Sequence, residues 1–145
     1  MAGQSLRVAL LNPCFWPEVR RGSERFAREL ADGLIGRGHR PTLITSHPGR
    51  FAITEEDRLN VIRLPRPPDG RLLRRGYEDH MTHAPLSYLL LRLMRFDIAH
   101  ALFSSDAVAA ARWAKATGRP AVYSNMGVPE RPELVRRRRR LELLE

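Results

Sequence analysis

Apolar positions in this chain come in short blocks, divided by proline, glycine and charge. Residues 6–11 (LRVALL) form the first block. A short, nearly continuous apolar run suits a strand covered on both faces. Asn12-Pro13 stops it, and Pro17 keeps the next stretch irregular. Phe26, Leu30 and Leu34 then recur every four residues beside Ala27 and Ala31. That is the stripe of an amphipathic helix. Ser23 is its expected N-cap, Glu24 a favourable charge in its first turn, and Gly36 and Gly38 its end. Residues 42–45 (TLIT) predict a second strand, and residues 60–64 (NVIRL) a weaker third at the sheet edge. Residues 65–76, rich in Pro, Gly and Arg, predict an exposed loop, with Arg74-Arg75 as solvated surface.

The second half repeats this alternation. Pro85 is expected at the first position of a helix carrying Leu86, Leu89, Leu90 and Leu93 at helical spacing. Residues 98–102 (IAHAL) predict a strand that leads to a cap at Ser104 or Ser105. An alanine-rich helix over 107–115 closes at Gly118, and residues 120–124 (PAVYS) predict another strand. Pro132 opens a last helix, with Leu134, Leu141 and Leu144 on one face. The order is β-α-β-β-α-β-α-β-α. It predicts an α/β fold: a mostly parallel sheet with helices on both faces, joined by right-handed βαβ units. Ligands in such sheets sit at the carboxyl ends of the strands. Those ends fall at residues 12–21, 46–50, 101–106 and 125–130.

A chain of 145 residues suits one domain with its own core. Cys14 is the only cysteine, which excludes an internal disulfide and a cysteine-cluster metal site and makes a reducing cytoplasm the default. No apolar run approaches the ~20 residues of a membrane span, and the first residues lack the apolar core of a signal peptide. Net charge is +9, and Lys115 is the only lysine. Such a balance attracts anionic partners: nucleic acid, acidic headgroups or phosphorylated substrates.

Among candidate sites, the first loop stands out. A strand that passes through Gly22 into a helix N-terminus offers unpaired N–H groups and partial positive charge to a phosphate. Arg20 and Arg21 add charge, and Gly22 permits close backbone approach. The other reading is a turn glycine beside surface arginines. Neither G-x-G-x-x-G nor G-x-x-x-x-G-K-[ST] is present. His80 and His83, with Asp79, invite a metal reading, yet no third ligand has suitable spacing and His100 lies in a strand pattern. No metal or cofactor is therefore expected. The run Arg136–Arg140 is the densest charge, but five consecutive helical residues point all around the axis. Aromatic side chains for base stacking are absent nearby, so nucleic acid is not the expected partner.

The stretch from Arg7 to Thr45 resembles the opening of family 4 glycosyltransferases of the GT-B fold. The matching pieces are Pro17, Arg21-Gly22-Ser23-Glu24, Glu29-Leu30-Ala31-Asp32-Gly33-Leu34, and Gly38-His39 before TLIT. Phe96-Asp97-Ile98-Ala99-His100-Ala101 and Gly118-Arg119-Pro120-Ala121-Val122 resemble later strands of that family. The resemblance implies a Rossmann-like, three-layer domain, one half of a GT-B enzyme. It implies retaining transfer of a sugar from a nucleotide-sugar donor to an acceptor, a sugar or a lipid-linked one, with no bound metal. Residues 1–145 would be the N-terminal, acceptor-side domain, without the C-terminal donor-binding domain and inactive alone. Arg21 and Gly22 would face the donor phosphates. The acceptor would lie near His80, His83, Asn125 and Met126. His100 would stand close to the cleft, either orienting groups there or as a buried, satisfied histidine. Arg21 stands where the family has a first glycine, and Met126 where many relatives have a histidine. The single cysteine makes the cytoplasm the expected location, and the basic surface would suit peripheral contact with anionic membrane. The rival readings are a non-catalytic module binding a nucleotide or phospho-ligand, and a nucleic-acid binder using Arg136–Arg140.

Overall fold

The structure, a computed structural model, describes residues 3–17, 22–67 and 82–125. Along these residues run β1 (Arg7–Leu11), α1 (Gly22–Gly36), β2 (Arg40–His47), β3 (Ala52–Glu56), β4 (Leu59–Pro65), α2 (His83–Leu93), β5 (Ile98–Ala101), α3 (Ser104–Thr117) and β6 (Ala121–Tyr123). The strands form one sheet in the order β3-β4-β2-β1-β5-β6. Every pairing is parallel except β3 with β4.

The apolar run of β1 is buried on both sides because successive side chains alternate between faces. Val8 and Leu10 pack with Ala27 and Ala31 of α1. Ala9 and Leu11 pack with Leu91 of α2 and with Ala110 and Trp113 of α3. The result is the expected three-layer, Rossmann-like α/β domain. The buried line of α1 is alanine, which seats the helix close to the sheet, while Phe26, Leu30 and Leu34 flank it half-buried. Gly38, at φ 83°, then turns the chain out of the helix. Its N–H donates to Ile35 O at 3.0 Å, and that of His39 to Leu34 O at 2.9 Å. These are the paired bonds that satisfy a helix's last carbonyls through a left-handed residue.

Several boundaries differ from the sequence-based expectation. Strand β4 is not at the edge: β3, which the apolar pattern did not predict, lies outside it. The β3–β4 turn places Asp57 and Arg58 at φ 47° and 68°, where hairpins usually carry asparagine and glycine. Arg28 of α1 fastens that turn, donating to the carbonyls of Glu56 at 3.0 Å and Asp57 at 3.1 Å. The N-caps also differ. Helix α3 begins at Ser104 with Phe103 at its cap and no side-chain cap bond. Ser23 is the second residue of α1, which begins at Gly22, and Pro85 is the third of α2. At that third position Pro85 still costs no helical bond, since the first four N–H groups have no intrahelical partner. The expected last helix and Arg136–Arg140 lie outside the described residues, as do Arg74 and Arg75.

Candidate functional site at the carboxyl ends of the strands

From β1 the chain runs through α1 to β2 on one side, and α2 leads to β5 on the other. The reversal opens a crevice beyond the carboxyl ends of β1 and β5, the usual ligand position in such sheets. The residues that follow those ends are Asn12 and Leu102, and Leu102 N–H donates back to Leu11 O at 2.9 Å.

The loop after β1 is held from three sides. Ser46, at the end of β2, donates through Oγ to Pro13 O at 2.6 Å and through N–H to the same oxygen at 3.1 Å. Asn12 Nδ2 donates to Cys14 O at 2.8 Å. Arg63 on β4 donates to Trp16 O at 2.8 Å. Arg66, just past β4, is buried and reaches Ser46 Oγ at 3.3 Å. The Arg63 guanidinium also pairs with Glu56 at 2.7 Å, and this hydrogen bond is the main cause that holds the Glu56 carboxyl below its ordinary value. A pocket of about 340 Å³ opens beside the loop, walled by Phe15, Trp16 and Pro17 and floored by Thr45, His47 and Arg63 among others. Phe15 and Trp16 stack with ring centroids 5.8 Å apart.

The candidate residues fall in different places. Gly22 is exposed at the start of α1, and a Cβ built there meets no atom within 4 Å. Arg21, His80 and Met126 lie outside the described residues. Asn125 is exposed just past β6. His83, by contrast, is buried. Its Nδ1 lies 2.7 Å from Asp106 Oδ1, and Ser87 Oγ lies 3.2 Å from its Nε2. This ties the first turns of α2 and α3 together beneath the crevice. No group of three or more His, Cys, Asp or Glu among the described residues is placed to hold a metal.

His100 on β5 is half-buried, and its Nε2 lies 2.8 Å from Ser124 Oγ. Desolvation lowers its pKa from 6.5. As pH falls below 6.5, the unfolded chain takes up this proton before the folded one does. The contribution to stability is complete above 6.5 and is lost as pH falls through the lower folded value. His100→Gln should therefore flatten the decline in thermal midpoint across that window. An unchanged decline in the variant would show that other groups cause it.

One regularity went unread in the sequence. Among the described residues, all ten buried polar or charged side chains lie at this end of the sheet. They are Asn12 past β1, Thr45 and Ser46 on β2, Arg66 past β4, Glu24 in α1, His83 and Ser87 in α2, and Ser104, Ser105 and Asp106 opening α3. Thr45 Oγ1, Ser104 Oγ, Ser105 Oγ and Asp106 Oδ2 are buried without a hydrogen-bond partner. Buried polar atoms are normally satisfied, so such a group marks a place to look for function. The available signal was a serine pair and an aspartate directly after an apolar strand, read only as a helix cap.

Comparison with known proteins agrees with this architecture. A family model described as Glycosyltransferase Family 4 matches residues 20–144. The comparison with curated proteins finds no match. Among solved structures, sucrose-phosphate synthase from Thermosynechococcus elongatus superposes with a TM-score of 0.70 at 13% sequence identity. The match covers 95% of this chain and 39% of that one, so this chain spans well under half of that protein's length. At such identity the likeness shows the fold, that of a GT-B glycosyltransferase domain. The family match reaches from before α1 to the last residues, and the chain belongs to glycosyltransferase family 4.

Proposed function

We propose that this chain is the acceptor-side domain of a retaining glycosyltransferase. A sugar or lipid-linked acceptor rests against the carboxyl ends of the strands, and a second domain holds most of the nucleotide-sugar donor. The observation that carries this reading is the gathering of the buried polar side chains at that one end of the sheet. At the opposite end the polar and charged residues are exposed or half-buried, such as Ser5, whose Oγ donates to Gly38 O.

In the reaction, an acceptor hydroxyl bonds to the donor's anomeric carbon. The bond from that carbon to the diphosphate breaks, and the nucleoside diphosphate leaves with the electron pair and takes up the hydroxyl's proton. The first turn of α1 lends partial positive charge to that leaving group, with Arg21 adding its own charge. Gly22 lets the diphosphate approach the backbone. Asn125 and His100 are the accessible candidates for contact with the acceptor. His83 is buried, so its part is to hold α2 and α3 in place.

The glycine provides the test, because its surroundings leave room for a side chain. In the polypeptide completed by its donor-binding domain, Gly22→Val should lower kcat/KM for the nucleotide sugar by roughly tenfold or more, about 1.4 kcal/mol or more of transition-state stabilisation. The unfolding midpoint should barely move. Wild-type turnover by the variant would remove the loop from the donor site. Binding of nucleotide sugar with no transfer to any acceptor would favour the non-catalytic module instead.

A further inference from the structure

The pocket beside the first loop has a chemistry of its own. It holds about 340 Å³. Small-molecule sites run from about 300 to about 1,000 Å³. It does not belong to the crevice between β1 and β5. Leu43 of β2 and Val61 of β4 pack in one cluster with Ala27 and Ala31 of α1. Side chains two residues apart on a strand share a face, so Thr45 and Arg63 lie on the α1 side of the sheet. The pocket they floor stands over β2 and β4 on that side. Ser104, Ser105 and Asp106 open α3, which packs on the other face.

Most polar groups around the pocket are already committed. The Arg63 guanidinium donates to Thr54 Oγ1 at 2.9 Å, to Glu56 Oε1 at 2.7 Å and to Trp16 O at 2.8 Å. Ser46 Oγ donates to Pro13 O at 2.6 Å. His47 Nε2 faces Arg50 O. Thr45 is the exception: it is buried, and its Oγ1 has no hydrogen-bond partner. The wall is Phe15, Trp16 and Pro17, with the two aromatic rings inclined by only 18°.

These features exclude whole classes of ligand. An anion would meet an arginine whose charge Glu56 already balances. A sugar ring would leave several hydroxyls without partners against the apolar wall, and each costs free energy once taken out of water. A flat aromatic ring gains from the Phe15–Trp16 wall and leaves one polar atom to be answered. We propose that this pocket is a separate ligand site for an uncharged aromatic ring bearing a hydroxyl, which lies against Phe15 and Trp16 and hydrogen-bonds Thr45 Oγ1. Such a ring arrives either as a free phenol or as the aglycone of a glycoside acceptor. Binding itself does not rest on the proposed function; only the second source does.

The experiment is fluorescence titration of naphthol with the full chain at neutral pH, with naphthalene and naphthoate as controls. Naphthol should bind saturably. Naphthalene should bind roughly fivefold more weakly for want of the hydroxyl. Naphthoate, which must bury a charge, should bind roughly tenfold more weakly or worse. Thr45→Val keeps the shape of the side chain and removes its hydroxyl. It should weaken naphthol roughly fivefold and leave naphthalene unchanged, a split that a displaced wall would not produce. Its thermal midpoint should not fall, since the lost hydroxyl has no partner. Trp16→Ala should weaken both ligands by roughly tenfold or more. Arg63 bonds the backbone carbonyl of Trp16, so this variant keeps its tie to β4. Failure of naphthol to bind saturably would overturn the proposal. So would equal affinity for naphthoate, or equal weakening of naphthol and naphthalene in Thr45→Val. In the polypeptide completed by its donor-binding domain, free naphthol should raise KM for a naphthyl glycoside if the aglycone is the source. It should alter transfer to a methyl glycoside if the free phenol is. Naphthol binding without transfer to any acceptor would sink the glycosyltransferase reading and leave this site standing.

Discussion

Replacing Trp113 by alanine is expected to cost about 3–5 kcal/mol, the usual range for deleting a large buried aromatic side chain. Trp113 is the largest fully buried side chain among the described residues. It packs with Leu11, Leu91, Phe96 and Ala99 where α2, α3 and the sheet meet. Its ring nitrogen also has a task. Trp113 Nε1 donates to Leu91 O at 3.1 Å. Leu91 lies in the last turn of α2, whose carbonyls have no partner within the helix. The indole therefore fills the core and satisfies a helix end at once. Trp113→Phe separates the two roles: it keeps most of the ring and abandons the carbonyl, for an expected loss of about 1–3 kcal/mol. Equilibrium unfolding in urea measures both. Whole-domain stabilities are about 5–15 kcal/mol, so the alanine variant should unfold at markedly lower urea than wild type. Equal losses for phenylalanine and alanine would mean that the hydrogen bond, not the packing, carries the effect.

The layout of the layers was legible because it depends on periodicity. The run in β1, the alanine-flanked stripe of α1 and the alanine-rich α3 each repeat at the spacing of the structure they form. What escaped depends on contacts between distant segments. Strand β3 has an exposed Ile53 and a turn at Asp57-Arg58 without glycine, so neither its core face nor its hairpin announced itself. Its existence depends on pairing with β4, and its turn on Arg28 of α1. The site divides in the same way. Gly22 was singled out from local order alone, as a glycine between a strand and a helix. Arg63 and Arg66 were not, since the loop they grip is roughly fifty residues earlier in the chain and only the parallel register of β2 and β4 brings them to it. His83 was noticed for its spacing from His80. Its partner Asp106 comes 23 residues later, from another helix.

That pair carries the other large expected effect. Asp106→Ala should cost about 3–5 kcal/mol, because removing one member of a buried pair strands the other without compensation. Among the described residues, His83 would keep Ser87 within hydrogen-bond reach. The carboxylate has a second source of support in the first turn of α3, where negative charge meets the positive end of the helix dipole. Asp106→Asn keeps an oxygen for the His83 N–H and loses that charge, so its cost should be smaller than alanine's. His83→Leu with Asp106→Leu removes both polar groups from the core. If the pair acts as one unit, the double variant should lose less than the sum of its single variants, by about 0.5–3 kcal/mol. Strict additivity in urea unfolding would mean that the 2.7 Å contact contributes little beyond each residue's own packing. A large coupling has a consequence for the cleft. The start of α3 borders the crevice between β1 and β5, and His83 opens α2 beside it. Loosening the pair should shift both helix starts, and with them Ser104 and Ser105, whose hydroxyls are buried without partners. Transfer activity in the completed enzyme should then fall more steeply than stability alone explains, and the asparagine variant should restore most of it.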